Sequence, residues 1–261
     1  MAKPRLLNTH SKKWESYKLF LYVLPCLIFI FIFKYLPLWG WSYAFFQYKP
    51  GRDLFKCAFV GLQNFTALFG NAVMRNNLLR VLRNTFGIQI LNYLLMPVPM
   101  LFAIFLSEIK STKFQKAVQT LTTLPHFISW VIMFSLATSL FGNSGVVYAV
   151  LKNFGAEGIN ILTTDQHVWL IQSLLALWKS LGWSAIIYFA AITGLDQEVY
   201  EAAMVDGASR WQKIRYITIP LLIPTFFVLL IMGIGNFLNS GIDQFLAFGN
   251  AMNKEYIEVL D

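Results

Sequence analysis

Hydrophobic positions in this chain gather into long blocks separated by short polar stretches, with no sustained alternation between the two. Five blocks stand out, at residues 20–46, 85–106, 117–141, 168–195 and 217–238. Each is close to the roughly 20 apolar residues that a helix needs to cross hydrocarbon. Only helices and closed barrels satisfy their backbone polar groups in lipid, and a barrel strand would show a period of two, which these blocks lack. The pattern predicts an all-α, polytopic helical membrane protein with five visible spans, the whole of 1–261 forming one transmembrane domain. The first block follows five basic residues, yet it is too long for a signal peptide and has no small-residue cleavage site, so it reads as a retained span.

Composition agrees with that class. Hydrophobic residues make up 57% of the chain and charged residues 13%, well below the charge of a soluble domain. The net charge of +8 would suit nucleic acid, but a membrane protein concentrates Lys and Arg in cytoplasmic loops, and that placement accounts for the charge without a nucleic-acid partner. Cys26 and Cys57 have no CxxC spacing and read as packing residues.

Charge also sets an expected orientation. With 1–19 as a cytoplasmic segment, the inner side holds Lys3, Arg5, Lys12, Lys13 and Lys18, then Lys110, Lys113 and Lys116, then Arg210, Lys213 and Arg215. The stretch 142–167 carries only Lys152, and the chain after 238 only Lys254. This predicts a cytoplasmic N-terminus. Residues 47–84 disagree: Lys49, Arg52, Lys56, Arg75, Arg80 and Arg83 would lie outside. An amphipathic helix over 75–83, lying at the interface with Leu78, Leu79 and Leu82 on one side, is the expected arrangement. Four glycines in 142–158 mark the most flexible connection.

One polar, helix-prone insert separates the last two blocks. Asp196 stands at an N-cap position with Glu198 in the first turn, facing the positive end of the backbone dipole. Glu201-Ala202-Ala203 follows, its small side chains allowing close approach to the backbone. Gly207 supplies a left-handed stop, and Ser209 with Gln212 forms a capping box for the next helix. The spacing predicts helix, tight turn, helix over 196–216.

The order Glu-Ala-Ala, three residues, Gly207, nine residues, Ile217-Thr218-Ile219-Pro220 resembles the coupling loop of permease subunits of ATP-binding-cassette importers. Ile219 stands where the family often has Leu, a change of similar volume. Phe59-Val60-Gly61-Leu62-Gln63-Asn64-Phe65, Arg83-Asn84-Thr85, Leu124-Pro125 and Trp178-Lys179-Ser180-Leu181-Gly182-Trp183 extend the likeness over 59–224 to carbohydrate-type permeases, similar to the maltose-transporter group and its oligosaccharide branch. The resemblance implies a type I importer permease fold, multi-pass in the bacterial cytoplasmic (inner) membrane, with a sixth helix expected beyond Asp261. It implies a second homologous permease, two ATPase subunits that bind ATP and Mg, an extracytoplasmic solute-binding protein and a sugar or oligosaccharide substrate. No cofactor is expected in this chain. Coupling to the ATPase would fall on Glu201, Ala202, Ala203, Asp206 and Gly207.

Polar groups inside apolar blocks are costly in lipid and face protein or water, which singles out Gln89, Asn92, Gln172, Lys179, Asn236 and Asn239. Aromatic rings cover the C–H faces of sugars, so Trp178, Trp183 and Tyr188 join them as candidates for a substrate path. Lys179 suits an acidic sugar or a carboxylate on the partner permease; it equally suits a structural donor between helices, and the second reading is favoured. Asn236, Asn239, Ser240 and Asp243 either meet substrate at the outer end of the fifth block or simply end the helix.

Catalytic chemistry finds little foothold. The chain has no GxxxxGK[ST] loop for hydrolysing ATP, and His10, His126 and His167 lack metal-ligand spacing, so it is not expected to be an enzyme. The competing reading is an ion-coupled secondary transporter, which normally buries Asp or Glu in its helices; none of the five blocks contains one.

Overall fold

The computed structural model describes residues 9–142, 145–153, 162 and 167–260. Lys3, Arg5, Gly155 and Gly158 of the sequence argument lie outside the described residues. Helix dominates; among the described residues the only β pairing is an isolated antiparallel bridge between Phe46 and Phe59. By compactness the chain divides into an N-terminal unit ending at Arg75 and a larger one beginning at Asn76.

The N-terminal unit opens with α1 (Thr9–Ile30), which runs through a π turn (Phe31–Tyr35) into a 3-10 helix (Leu36–Phe45). Pro37, which has no N–H to give, stands near the start of the 3-10 segment. Together they supply an apolar run of 29 residues, Tyr17–Phe45, none of whose most apolar stretch is buried within the protein. A surface of that kind is satisfied by lipid or by another chain. Asn64, in α2 (Gln63–Gly70), donates to the carbonyls of Ala44 (2.9 Å) and Phe46 (3.3 Å) and so ties the end of this run to the Phe59–Phe65 motif.

In the larger unit α3 (Ala72–Leu95) and α4 (Pro97–Ser107) form one apolar segment broken only at Met96, before two prolines. The interfacial helix expected over 75–83 is not a separate element: it is the first half of α3 and continues without a break into the second span. Then come α5 (Thr112–Thr123), a 3-10 turn (Leu124–Phe127), α6 (Trp130–Phe141), α7 (Val146–Asn153), α8 (Val168–Thr193), α9 (Gln197–Val205) and α10 (Arg210–Lys213). A π turn (Ile214–Thr218) leads into α11 (Ile219–Ile234), followed by α12 (Ile242–Phe248) and α13 (Lys254–Ile257). The third block, expected as one span over 117–141, is instead two helical pieces, Thr112–Phe127 and Trp130–Phe141, bent by 114°. Among the described residues four helices are long and apolar enough to cross a membrane, or five if the bent pair counts as one.

Two clusters hold this unit together. One packs Met100, Ala103 and Ile104 of α4 against Ala185 and Tyr188 of α8 with Ile214 and Leu222. The other gathers Ile88, Ala137, Val168, Leu175, Phe245, Phe248 and Ile257 around the first half of α8. α8 therefore serves as the central post. Gly182 lets α5 reach it, since a Cβ at that position would stand 2.4 Å from the carbonyl carbon and oxygen of Thr122.

Candidate coupling loop and translocation path

Beyond Thr193 the chain leaves α8 and builds the helix-turn-helix expected from its caps. The Asp196 carboxylate accepts from the Glu198 N–H at 2.9 Å and starts α9. The end of α9 is a Schellman motif: Ala208 N–H reaches the Ala203 carbonyl at 2.9 Å and Gly207 N–H the Met204 carbonyl at 3.1 Å. That closure places Gly207 at φ 75°, a left-handed value any side chain would resist. Ser209 and Gln212 then cap α10 reciprocally, at 2.7 and 3.3 Å.

The loop's backbone is closed by caps at each helix end, and its surface is open. Glu201, Ala202, Asp206 and Gly207 are exposed, with Ala203 half-buried. Neither Glu201 nor Asp206 uses its carboxylate in a side-chain hydrogen bond or ion pair among the described residues. Beside them Val205 is 88% exposed, and Met204 and Trp211 are exposed too, an apolar patch framed by free acids. One further contact was not anticipated: the Tyr200 hydroxyl lies 2.9 Å from the Thr218 hydroxyl, joining α9 to the π turn that feeds α11. Thr218 is 4% exposed, so this bond is largely shielded from water.

A cavity of about 430 Å³ lies against the same unit's helices, lined by Asn92 and Pro99 from α3 and α4, Leu229 from α11, and Ser173, Ser180, Trp183, Ser184 and Tyr188 from α8. Its size falls in the range of small-molecule sites. Of the aromatic candidates, Trp183 and Tyr188 line it. Trp183 stacks on His126 with 4.5 Å between ring centres and meets Phe127 edge-on. Tyr188 is 1% exposed and its hydroxyl has no partner, a buried donor left available. The serines escaped the sequence argument, although their spacing with Tyr188 (173, 180, 184, 188) marks one helical face.

The remaining candidates stand elsewhere. Gln172 is buried, its side-chain and backbone oxygens both accepting from Gln244 of α12, at 2.8 and 2.9 Å. Trp178 packs against the cluster around Leu175. Asn236 donates back to the Met232 carbonyl, Asn239 accepts from Gln89 through its carbonyl, and Asp243 sits in the first turn of α12; all three are exposed and none lines the cavity.

Lys179 is the most fully engaged. Its ammonium donates to the carbonyls of Pro125 and His126, each at 3.0 Å, and to that of Ile128, and it stands 5.3 Å from the Trp130 ring centre. These carbonyls belong to the bend in the broken span, where helical N–H partners are lost. Three N–H donors meet three orphaned carbonyls, so the structural role favoured from sequence is the one the geometry carries, and no donor remains for a sugar carboxylate.

Apolar helices long enough to cross a membrane, a polar helix-turn-helix between two of them and a cavity lined by α3, α4, α8 and α11 are the features of a polytopic membrane protein. The chain belongs to the binding-protein-dependent transport system inner membrane component family, whose pattern it matches over residues 88–242. It is 38% identical over 245 residues to the polygalacturonan/rhamnogalacturonan transport system permease protein YteP of Bacillus subtilis (strain 168), covering 93% of this chain and 75% of that one. Protein LplB of the same organism is 35% identical over 251 residues, with 95% and 76% covered. Among solved structures, a bacterial ABC transporter involved in the import of the acidic polysaccharide alginate superimposes with a TM-score of 0.80 at 32% identity, over 96% of this chain and 84% of that one.

Proposed function

We propose that this chain is the permease subunit of an ATP-driven importer of sugars or oligosaccharides, forming half of the translocation path. The observation that carries the reading is the capped, exposed α9, which follows one span and precedes the next and carries Glu201 and Asp206, unpaired among the described residues, beside bare Met204 and Val205. Free acids around an apolar patch suit a groove on a partner subunit, where a charge-assisted hydrogen bond gives direction and the patch gives area. The partner is an ATPase chain that holds ATP and Mg; its closure pulls α9 and, through the Tyr200–Thr218 bond, α11, alternating access to the cavity. A second, related permease completes the path, and an extracytoplasmic binding protein delivers the saccharide. The names of the relatives, which include permeases for arabinooligosaccharides and for trehalose/maltose, support saccharide as the cargo.

The test is to purify the tagged chain with its neighbours and follow the ATPase. Glu201→Arg is expected to cut ATPase co-purification and stimulated ATP turnover by more than tenfold while the second permease stays bound. Unchanged ATPase association in that variant removes the lever from the coupling role.

A further inference from the structure

Far from the coupling loop, α3 offers two arginines to the segment around α13. α8 carries Trp169 in its first turn and releases the chain toward α9 after Thr193; its 26 residues span about 39 Å, enough to put Trp169 and α9 on opposite membrane faces. Asn76, Leu79, Arg80 and Arg83, spaced as neighbours on one helical face, line a cleft of about 310 Å³ with Glu255.

The two arginines differ in their state. Arg80 is paired with Glu258, which also lies 3.8 Å from Lys254. Arg83 has no carboxylate partner among the described residues. Its Nη2 donates to Asn84 Oδ1 at 3.2 Å and to the Glu255 carbonyl at 3.4 Å, and its guanidinium stands 5.8 Å from the Trp169 ring centre and 5.4 Å from that of Tyr256. Two of the five N–H donors of a guanidinium are engaged, and the rings orient the cation without neutralising it. Arg83 is exposed and lines the cleft, and the Arg80 Nε–H also lacks an acceptor. Unpaired positive charge on the face opposite the coupling loop runs against the bias that orients membrane proteins, so topology does not explain it.

We infer that Arg83, with Arg80 beside it, reads carboxylates of an acidic, uronate-type oligosaccharide as it enters the path. This rests on the importer reading and narrows its substrate class. A guanidinium matches a carboxylate in shape and charge better than any neutral hydroxyl does, and Trp169 and Tyr256, half-buried against the core, hold it in place at the cleft's edge. Lys179, the other cation near the path, has every N–H on a backbone carbonyl. Glu255, which shares the cleft, works against the ligand and sets its affinity below the maximum.

The experiment uses the full importer complex with its binding protein in nanodiscs of neutral lipid, and measures stimulated ATP turnover with a galacturonate trisaccharide and with its carboxyl-reduced counterpart. Arg83→Gln is expected to raise the KM for the acidic trimer about tenfold and to leave the neutral one within twofold. Arg83→Lys restores part of the loss. Glu255→Gln lowers the acidic KM about threefold, a gain that a damaged fold does not produce. Equal effects of Arg83→Gln on both trimers, or none on either, overturn the proposal. A wild-type response to the neutral trimer alone also overturns it but leaves the importer reading standing, whereas no response to any saccharide tried removes both. If the Arg83→Gln effect appears only when anionic lipid is added, the cleft holds a headgroup and the sugar assignment fails.

Discussion

Single residues here do work that their type alone does not announce. Lys179 looks like a charge for substrate and serves as a three-pronged clamp on a bend; its removal orphans three carbonyls in a low-dielectric setting. Lys179→Met is therefore expected to destabilise the complex by about 2–4 kcal/mol, seen as a lower thermal midpoint, and to reduce ATP turnover equally for acidic and neutral saccharides. A selective loss for acidic ones would contradict the clamp. Gly182 is a second case. Its missing side chain admits the Thr122 backbone, so Gly182→Ala must push α5 from α8 at a cost of about 1–3 kcal/mol, measurable as lost thermal stability of the purified complex.

At the scale of elements, α9 is joined to the start of α11 by one part-buried hydroxyl pair. Tyr200→Phe and Thr218→Val each leave the hydrophobic shape nearly intact while deleting that bond. Each single change is expected to lower transported saccharide per ATP hydrolysed, and the double variant to be no worse than the singles, with a coupling energy of about 1 kcal/mol. Additive losses would show the two hydroxyls acting separately. Gly207→Val is a distinct lesion: a β-branched residue at φ 75° costs about 1–2 kcal/mol in the turn, and the expected readout is weaker ATPase association with the transmembrane helices still folded. The broken third span belongs to this scale too. Its hydrophobicity is continuous across 117–141, but Pro125 and the Ser129 cap, which accepts from the Ile132 N–H at 3.3 Å, divide it into two helices.

For the molecule as a whole, bare apolar surface is the dominant fact. The Tyr17–Phe45 run and most of α11 bury little against their own chain. Lipid covers part of such a surface, and the second permease proposed above would cover the rest. The chain expressed alone is expected to aggregate on size-exclusion chromatography in detergent, and co-expression with the second permease to shift it into a defined peak. A monodisperse, stable single chain would argue that the exposed helices meet only lipid.

Periodicity and local chemistry were enough to determine an all-helical membrane protein, the two ends of the helix-turn-helix over 196–216 and the residue that turns it, because hydrophobic length, caps and a left-handed glycine act within a few residues of themselves. The face of α8 that meets the cavity was half legible: Trp183 and Tyr188 stood out as aromatic, while the serines beside them looked like ordinary interface residues. What tertiary structure alone decided is which polar groups are already satisfied. Gln172 pairs with a residue 72 positions away, Lys179 with carbonyls more than 50 positions away, and Arg83 remains without an acid among the described residues although Glu255 and Glu258 lie nearby. Such pairings depend on which helices come to lie side by side, and a linear chain carries no local mark of that.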